Sequence, residues 1–315
     1  MDNKTIDLLE AAVEKRKALR RTTNAMRLVN GFADGLGGLT LEQYDRHFCL
    51  QVFDKRWLTE RRALTDFVRE RCLGLYLIVK DRSESVSAQP QAIKNSIWIE
   101  YHTSKSIIQE NGLKFAVDLN DTLNSGLFLD MRHNRKIVAD IALGRKVLNC
   151  FAYTCSFGVY CRLAKASSVV NVDISRKSLE RGKQNYELNR ITPAYNEFTR
   201  NDAVDYINRA VKKNNCFDLI ILDPPSFARH ENKSFSVKKD LAGLVASALK
   251  ILNPAGAIFV STNFSELTCV DLEGMVKVGS EKRKISRIRH LGQDDDFVGN
   301  GLMQESCLSA VLVEM

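Results

Sequence analysis

From Lys146 onward the hydrophobic positions fall into a repeated pattern. Short apolar runs, among them Val147-Leu148, Val169-Val170-Asn171-Val172, Leu219-Ile220-Ile221-Leu222 and Ala257-Ile258-Phe259-Val260, alternate with longer stretches of mixed polarity. Compact apolar runs mark strands covered on both faces, and the stretches between them are long enough for helices. The helices are expected at Gly158 to Lys165, Ser175 to Asn189, Ala203 to Lys212 and Leu241 to Leu252. A third strand is expected at Tyr195 to Thr199, a turn at Asn253-Pro254-Ala255-Gly256, and two last strands near Lys284 to His290 and Ser306 to Val313. Strand-helix alternation of this kind predicts an α/β domain with a parallel sheet.

Before residue 119 the pattern is different and predicts a small α+β domain, so the chain divides into 1–118 and 119–315. A helix through Thr23 leads to a strand at Ala25 to Val29, a Gly-rich turn at Gly35-Leu36-Gly37-Gly38 and a strand at Phe48 to Phe53. A helix from Thr59 to Cys72, a strand from Leu75 to Lys80 and a polar loop from Ser83 to Pro90 follow. Ile107 to Glu110 and Leu113 to Val117 flank Asn111-Gly112, the dipeptide that most favours a two-residue hairpin.

Candidate chemistry sits where the apolar runs stop. The run Phe217 to Leu222 breaks into Asp223-Pro224-Pro225-Ser226-Phe227, in which two prolines fix φ and remove two backbone donors, leaving a stiff loop between a carboxylate and an aromatic ring. Upstream, Lys146 to Gly158 reads as a strand entering a small-residue turn and a helix. Asp173 ends the next strand about 20 residues later, the spacing at which a carboxylate takes ribose hydroxyls in nucleotide-binding α/β folds. Asn201-Asp202 ends the third strand and Asp223 the fourth. Each Asp alone reads equally as a helix cap. In a parallel sheet, though, all three converge on the crevice outside the carboxyl ends of the strands. The turn lacks Gly-x-Gly-x-x-Gly, with Gly158 its one glycine, so a pyrophosphate on the helix N-terminus is not indicated. A cofactor with ribose and adenine but no phosphate fits better.

These residues resemble the class I S-adenosylmethionine-dependent methyltransferases, specifically the bacterial 23S rRNA large-subunit methyltransferase I and K group, over roughly residues 25 to 315. The strand-1 segment of that family looks like V-L-N-x-F-x-Y-T-G, here Val147 to Cys155, with Cys155 in the glycine's place. The resemblance implies a Rossmann-like, seven-stranded, mostly parallel sheet behind a small N-terminal α+β domain. It implies S-adenosyl-L-methionine held by Asn149, Phe151, Tyr153, Thr154, Cys155 and Ser156 of the turn, by Asp173, Ile174 and Ser175 at the ribose, and by Asn201, Asp202 and Ala203 at the adenine. Asp223, Pro224, Pro225, Phe227 and Asn263 are then expected to line the methyl-transfer cavity, with Asp223 also counted among the cofactor-binding residues. Leu123 to Arg135 resembles the segment that leads into the catalytic domain of relatives, which adds Ser125, Phe128, Asp130 and Arg132 to the cofactor set; read without the family, it is a helix start at Ser125 anchored by Phe128. The PUA domain that leads such proteins is expected to be absent, with no room for one before Arg27.

Composition narrows the partner. A formal net charge of +8 has the sign suited to a phosphate backbone. Lys15, Arg16, Lys17, Arg20, Arg21 and Arg27 crowd the first helix and are the candidate RNA contacts, against a reading as plain solvated surface. Lys277, Lys282, Arg283, Lys284, Arg287 and Arg289 form a second cluster. No run of about 18 apolar residues and no signal peptide is visible, so a cytoplasmic protein without a membrane span is expected. The eight cysteines form no Cys-x-x-Cys pair and, with five scattered histidines, no zinc site; they read as reduced core thiols. Monomer and homodimer both remain compatible with the sequence.

The methylated atom is narrowed by what the sequence lacks. Methylation at cytosine C5 requires a thiolate to add to C6. The C5 branch of the family has a cysteine after strand five, where this chain reads Ser261-Thr262-Asn263-Phe264, and the Asp-Pro-Pro loop continues with Ser226. Cys269 is the remaining candidate thiol nearby. Guanine N7 carries its own in-plane lone pair and needs no covalent step, and Ser261-Thr262-Asn263 resembles the K branch, whose target is N7 of guanine in rRNA. The expected function is therefore methylation of a base nitrogen in 23S rRNA or its precursor. The alternatives are cytosine-C5 methylation, a small-molecule methyltransferase on the same fold, and a catalytically silent RNA-binding protein.

Overall fold

The Asp2 carboxylate accepts a hydrogen bond from the Thr5 amide at 2.8 Å and starts α1 (Asn3–Lys15), whose Leu9 and Ala12 face inward. The computed structural model describes residues 1–83, 94–121, 124–230, 233–281, 283–297 and 308–315. The chain forms two units, Met1–Asp130 with Asp294–Glu305, and Met131–Gln293 with Ser306–Met315.

In the first unit, α1 ends at Lys15 and a 3-10 turn covers Lys17–Arg21, so no single helix reaches Thr23. Arg16 turns inward at this break and pairs with Asp34 at 2.6 Å. Five strands follow: β1 (Ala25–Asn30), β2 (Leu39–Tyr44), β3 (His47–Val52), β4 (Tyr76–Asp81) and β5 (Lys94–Glu100), in the order β1-β2-β3-β4-β5. All pairings are antiparallel except β3 with β4. The helix expected from Thr59 to Cys72 is broken into α2 (Arg56–Thr59), α3 (Arg61–Asp66) and a π turn at Phe67–Arg71. Leu9, Met26, Leu28, Phe48, Leu50, Trp57, Leu77 and Val79 share its core. Strands β6 (Lys105–Glu110) and β7 (Leu113–Asp118) form the hairpin, with Asn111 and Gly112 at φ +50° and +81°, both left-handed as a type I′ turn requires. The unit extends past residue 118, because Tyr76 Oη donates to Asn120 Oδ1 (2.7 Å), Lys80 Nζ to the Asp121 carbonyl (2.9 Å), and Leu119, Leu127 and Leu129 are buried.

The second unit opens with α4 (Arg132–Asp140) and then alternates β8 (Lys146–Cys150), α5 (Ser156–Leu163), β9 (Ser168–Asp173), α6 (Arg176–Leu188), β10 (Phe198–Arg200), α7 (Ala203–Lys212) and β11 (Phe217–Leu222). A two-stranded hairpin, β12 (Phe227–His230) with β13 (Lys233–Ser236), precedes α8 (Val237–Leu249), β14 (Leu252–Thr262), α9 (Cys269–Gly279), β15 (Arg287–Leu291) and β16 (Ser309–Glu314). The seven-stranded sheet has the order β10-β9-β8-β11-β14-β16-β15; β16 runs antiparallel to both neighbours and the pairings from β10 to β14 are parallel. Its two faces are buried separately, one by Ile207, Leu241, Val245 and Leu272, the other by Val138, Phe157 and Cys161. The turn expected at 253–256 lies within β14, as an irregularity in register where Phe217 pairs with Leu252 but Leu219 with Ala257. Residues Glu84 to Pro90 of the expected loop, Leu123, Lys282, and Ser306-Cys307 of the last expected strand lie outside the described residues.

Candidate active site

Chain order reverses direction in the sheet between β8 and β11. From β8 the chain moves outward through β9 to β10, then returns to β11 on the opposite side, which makes the β8–β11 boundary the switch point where open α/β sheets bind ligands. The parallel pairings put four features along one edge in the order Asp202, Asp173, the 151–155 turn and Asp223.

The turn is built from left-handed backbone. Phe151, Tyr153 and Cys155 have φ of +56°, +48° and +58°, conformations that cost a non-glycine residue about 1–2 kcal/mol each. Asp173 holds the turn in place: its Oδ2 accepts from the Tyr153 amide at 2.8 Å and its Oδ1 from the Ser175 amide at 2.8 Å. Burial raises the carboxyl's pKa above the ordinary Asp value, and the amides of Ser175, Tyr153 and Ile174 pull in the opposite direction. Each carboxylate oxygen keeps acceptor capacity for a hydroxyl beyond these amides. The Cys155 side chain is buried, with its thiol pKa pushed well up by burial and by Asp173 and Glu197, so it is a neutral thiol. It fits because residue 182 in α6 is a glycine: a Cβ there would stand 2.5 Å from Cys155 Sγ.

Asn149, one of the residues expected at the cofactor, lies inside the sheet. It is 2% exposed, and its Nδ2 donates to Asn171 Oδ1 at 2.9 Å, while Asn171 Nδ2 donates to Tyr186 Oη at 2.9 Å. Asn149 therefore supports the turn from inside the sheet, and Gly158 leaves the space, since a Cβ there would lie 2.3 Å from Asn171 Oδ1. Thr154 is buried, and its carbonyl accepts from Asn185 Nδ2 at 3.0 Å. Phe151 packs toward Phe235, ring centroids 5.8 Å apart. Ser156 opens α5. Ser175 and Asp202 are the N-caps of α6 and α7, accepting from the amides of Ser178 (3.2 Å) and Asp205 (3.0 Å); Ile174 lies between Asp173 and the first cap, the Asn201 amide donates to the Asp173 carbonyl at 3.0 Å, and Ala203 is buried at the start of α7.

Beyond the paired residues Leu222 and Val260, two side-chain bonds join the ends of β11 and β14. Ser261 Oγ, fully buried, donates to Asp223 Oδ1 at 2.7 Å, and Ser226 Oγ donates to Asn263 Oδ1 at 2.6 Å. The sequence places Ser261 after strand five but not its bond to Asp223, which depends on the β11–β14 register. Pro224 is buried, Pro225 exposed, and Phe227 is 60% exposed at the start of β12. Cys269 opens α9 behind the Thr268 cap, and its thiol donates to the Ala310 carbonyl at 3.4 Å.

Ser125, Phe128 and Asp130 belong to the first unit and line a cavity there, and Ser125 begins no helix, its Oγ donating to Tyr44 Oη at 2.9 Å. Arg132 opens α4 in the second unit and is buried. Of the N-terminal basic set, Lys15, Lys17, Arg20 and Arg21 are exposed, whereas Arg16 is 1% exposed on Asp34 and cannot meet a phosphate. Arg27 sits in β1, paired with Glu42 at 2.7 Å, and not on a helix. Among the described residues no group of three His, Cys, Asp or Glu side chains is placed to hold a metal ion. No helix among them is long and apolar enough to cross a membrane.

A doubly wound sheet with carboxylates at adjacent strand ends and no glycine-rich phosphate loop suits a phosphate-free nucleoside cofactor. Residues 72–277 match the S-adenosylmethionine-dependent methyltransferase family model, and the chain belongs to that family. It is 34% identical over 271 residues to YwbD of Bacillus subtilis (strain 168), whose name places it with the ribosomal RNA large subunit methyltransferases, covering 85% of this chain and 68% of that protein. The ribosomal RNA large subunit methyltransferase K of Neisseria meningitidis serogroup B is 32% identical over 260 residues, covering 81% of this chain and 72% of that protein. The crystal structure of SMU.776 complexed with SAH superposes with a TM-score of 0.87 at 29% identity, covering 98% of this chain and 80% of that one. The chain thus spans about two thirds of the length of its curated relatives. It is an S-adenosylmethionine-dependent methyltransferase. The site suits that cofactor: Asp173 offers acceptors to a ribose diol, and carboxylates at three strand ends would repel a pyrophosphate but not a nucleoside.

Proposed function

We propose that this enzyme methylates a base nitrogen, guanine N7, of large-subunit ribosomal RNA. The observation that carries the nitrogen target is the set of described side chains at the ends of β11 and β14, Asp223, Ser226, Phe227, Ser261 and Asn263, with no thiol among these described residues. The RNA substrate is supported by the names of the relatives and by the exposed Lys15, Lys17, Arg20 and Arg21. S-adenosylmethionine supplies an electrophilic methyl group on a sulfonium. The chain's residues supply orientation and exclusion of water, the two contributions an in-line displacement by a ready lone pair needs. Phe227 offers an exposed ring face on which an unstacked base lies, as base-modifying enzymes require. Asn263, its Oδ1 already bonded to Ser226, presents its Nδ2 donors to the base edge. The buried Ser261 hydroxyl fixes the Asp223 carboxylate beside it.

The test is covalent trapping. RNA substituted with 5-fluorocytosine should form no stable adduct with the wild-type enzyme, and Cys269→Ser and Cys155→Ser should retain methyl transfer. An adduct that disappears in Cys269→Ser would establish C5 chemistry in its place.

A further inference from the structure

The first unit contains a cavity of about 170 Å³ walled by its own residues. Pockets for drug-sized ligands run to roughly 300–1,000 Å³, so this one takes a single ring system. Its polar wall is what calls for a ligand. Lys80 of β4 is 4% exposed, and among the described residues the Asp121 carbonyl, at 2.9 Å, is the one hydrogen-bond acceptor its ammonium has. Three N–H donors against one carbonyl leave a buried cation short of acceptors, a costly arrangement unless something else supplies them. Arg27 of β1 lines the same cavity, fixed by Glu42 (2.7 Å), by Asn30 Oδ1 (3.1 Å) and by stacking 4.3 Å over the Phe297 ring, yet its buried Nε has no hydrogen-bond partner. Tyr44 donates to Glu42 Oε2 at 3.1 Å, and burial and that carboxylate push its phenol well up, so it stays a neutral hydroxyl.

The ligand class follows by elimination. An apolar molecule would leave the Lys80 ammonium and Arg27 Nε unmet. The wall sets Arg27, Lys80 and Arg82 against Glu42 and Asp130, so a bare phosphate would satisfy the cations but leave the carboxylates facing an anion. A neutral planar heterocycle with acceptors on one edge and donors on another suits both halves. Guanine has this pattern, with O6 and N7 as acceptors and N1–H and N2–H₂ as donors. Phe128, 40% exposed and part of the same wall, adds a stacking face.

We infer that this cavity receives one unstacked guanine-type base of the RNA substrate. The inference rests on the RNA reading above and adds a base-recognition site in the first unit. Lys80→Met in the full chain should raise KM for RNA about tenfold, leave kcat and S-adenosylmethionine affinity unchanged, and abolish saturation transfer to guanosine. Lys80→Arg, which keeps the cation, should restore much of the preference for RNA. On the wild-type chain saturated with S-adenosylmethionine, guanosine should show cross-peaks to the Phe128 ring, while adenosine and inorganic phosphate should not. Loss of the guanosine signal when cofactor is added would assign the cavity to the cofactor, and a signal from phosphate alone would make it an anion site; either overturns the inference. If wild-type enzyme methylates no RNA, the RNA reading falls. If it does while folded Lys80→Met keeps the wild-type KM, only the cavity's role falls.

Discussion

Gly182→Ala isolates the packing that lets a non-glycine residue occupy the cofactor turn. The new Cβ would lie 2.5 Å from Cys155 Sγ, 3.1 Å from Cys155 Cβ and 3.4 Å from Phe198 Cε1, and the thiol has no solvent to move into because Cys155 is fully buried. Overpacking of this kind costs about 1–3 kcal/mol. Alanine recovers up to about 1 kcal/mol of helix propensity within α6. The single variant should therefore be destabilised by roughly 0–3 kcal/mol, the difference of those two ranges. Cys155→Gly removes the colliding thiol and places glycine at φ +58°, where it carries no steric cost. In that background Gly182→Ala should become stabilising by about 1 kcal/mol, which makes the coupling energy between the two sites about 1–3 kcal/mol. Both tryptophans, Trp57 and Trp98, lie in the first unit, so their fluorescence does not report on α6. Amide exchange across 176–188, supported by far-UV circular dichroism in urea, reads the right unit. Additivity of the two substitutions within about 0.5 kcal/mol would refute the packing argument.

Other substitutions separate support from chemistry. Asp173→Ala should weaken S-adenosylmethionine binding by about 1.5–3 kcal/mol in calorimetry, the range for hydrogen bonds to a charged group; unchanged affinity would remove Asp173 from the ribose. Because Asp173's pKa is raised in the folded protein, its contribution to stability is greatest below the unfolded pKa and is lost as pH rises through the folded value. Hydroxyl donors stabilise the charged form, so cofactor affinity should decline on acidification at a higher pH than an ordinary Asp would give, with proton release on binding in that window; a pH-independent affinity contradicts this. Ser261→Ala removes the buried donor to Asp223 and should lower turnover at constant cofactor affinity, with an interaction loss of about 0.5–1.5 kcal/mol. Arg16→Ala removes the nearer cation from Asp34 but leaves the Asn30 amide at 2.7 Å and Lys15 at 3.9 Å, and should cost about 1.5–3 kcal/mol of stability, the range for hydrogen bonds to charged groups. Changing Lys17, Arg20 and Arg21 together should spare stability and flatten the salt dependence of RNA binding by about 0.7–0.9 for each phosphate no longer neutralised; an unchanged slope would place the RNA elsewhere.

The parallel sheet was legible because its central strands are nearly uninterrupted apolar runs, and α7 follows the expected bounds from Ala203 to Lys212. Asn111-Gly112 marked its hairpin by local turn chemistry alone. What sequence did not disclose depends on partners distant along the chain. Arg16 reads as a surface charge until Asp34, eighteen positions on, draws it inside. Strand β2 escaped notice because Glu42, buried against Arg27, puts a charge where the alternation expects an apolar residue. Asn149 reads as a ligand contact because the family pattern gives its position but not its orientation toward Asn171. The boundary expected at residue 118 moved because the coil after β7 is bonded back to its own unit through Asn120, Asp121 and Ser125.

The most direct test of the central claim is nucleoside mass spectrometry of large-subunit rRNA incubated with the enzyme and S-adenosylmethionine carrying a deuterated methyl group. The account predicts label in 7-methylguanosine, retained in Cys269→Ser and strongly reduced in Phe227→Ala. Label in 5-methylcytidine, or no label in RNA from an enzyme that binds the cofactor, would contradict it.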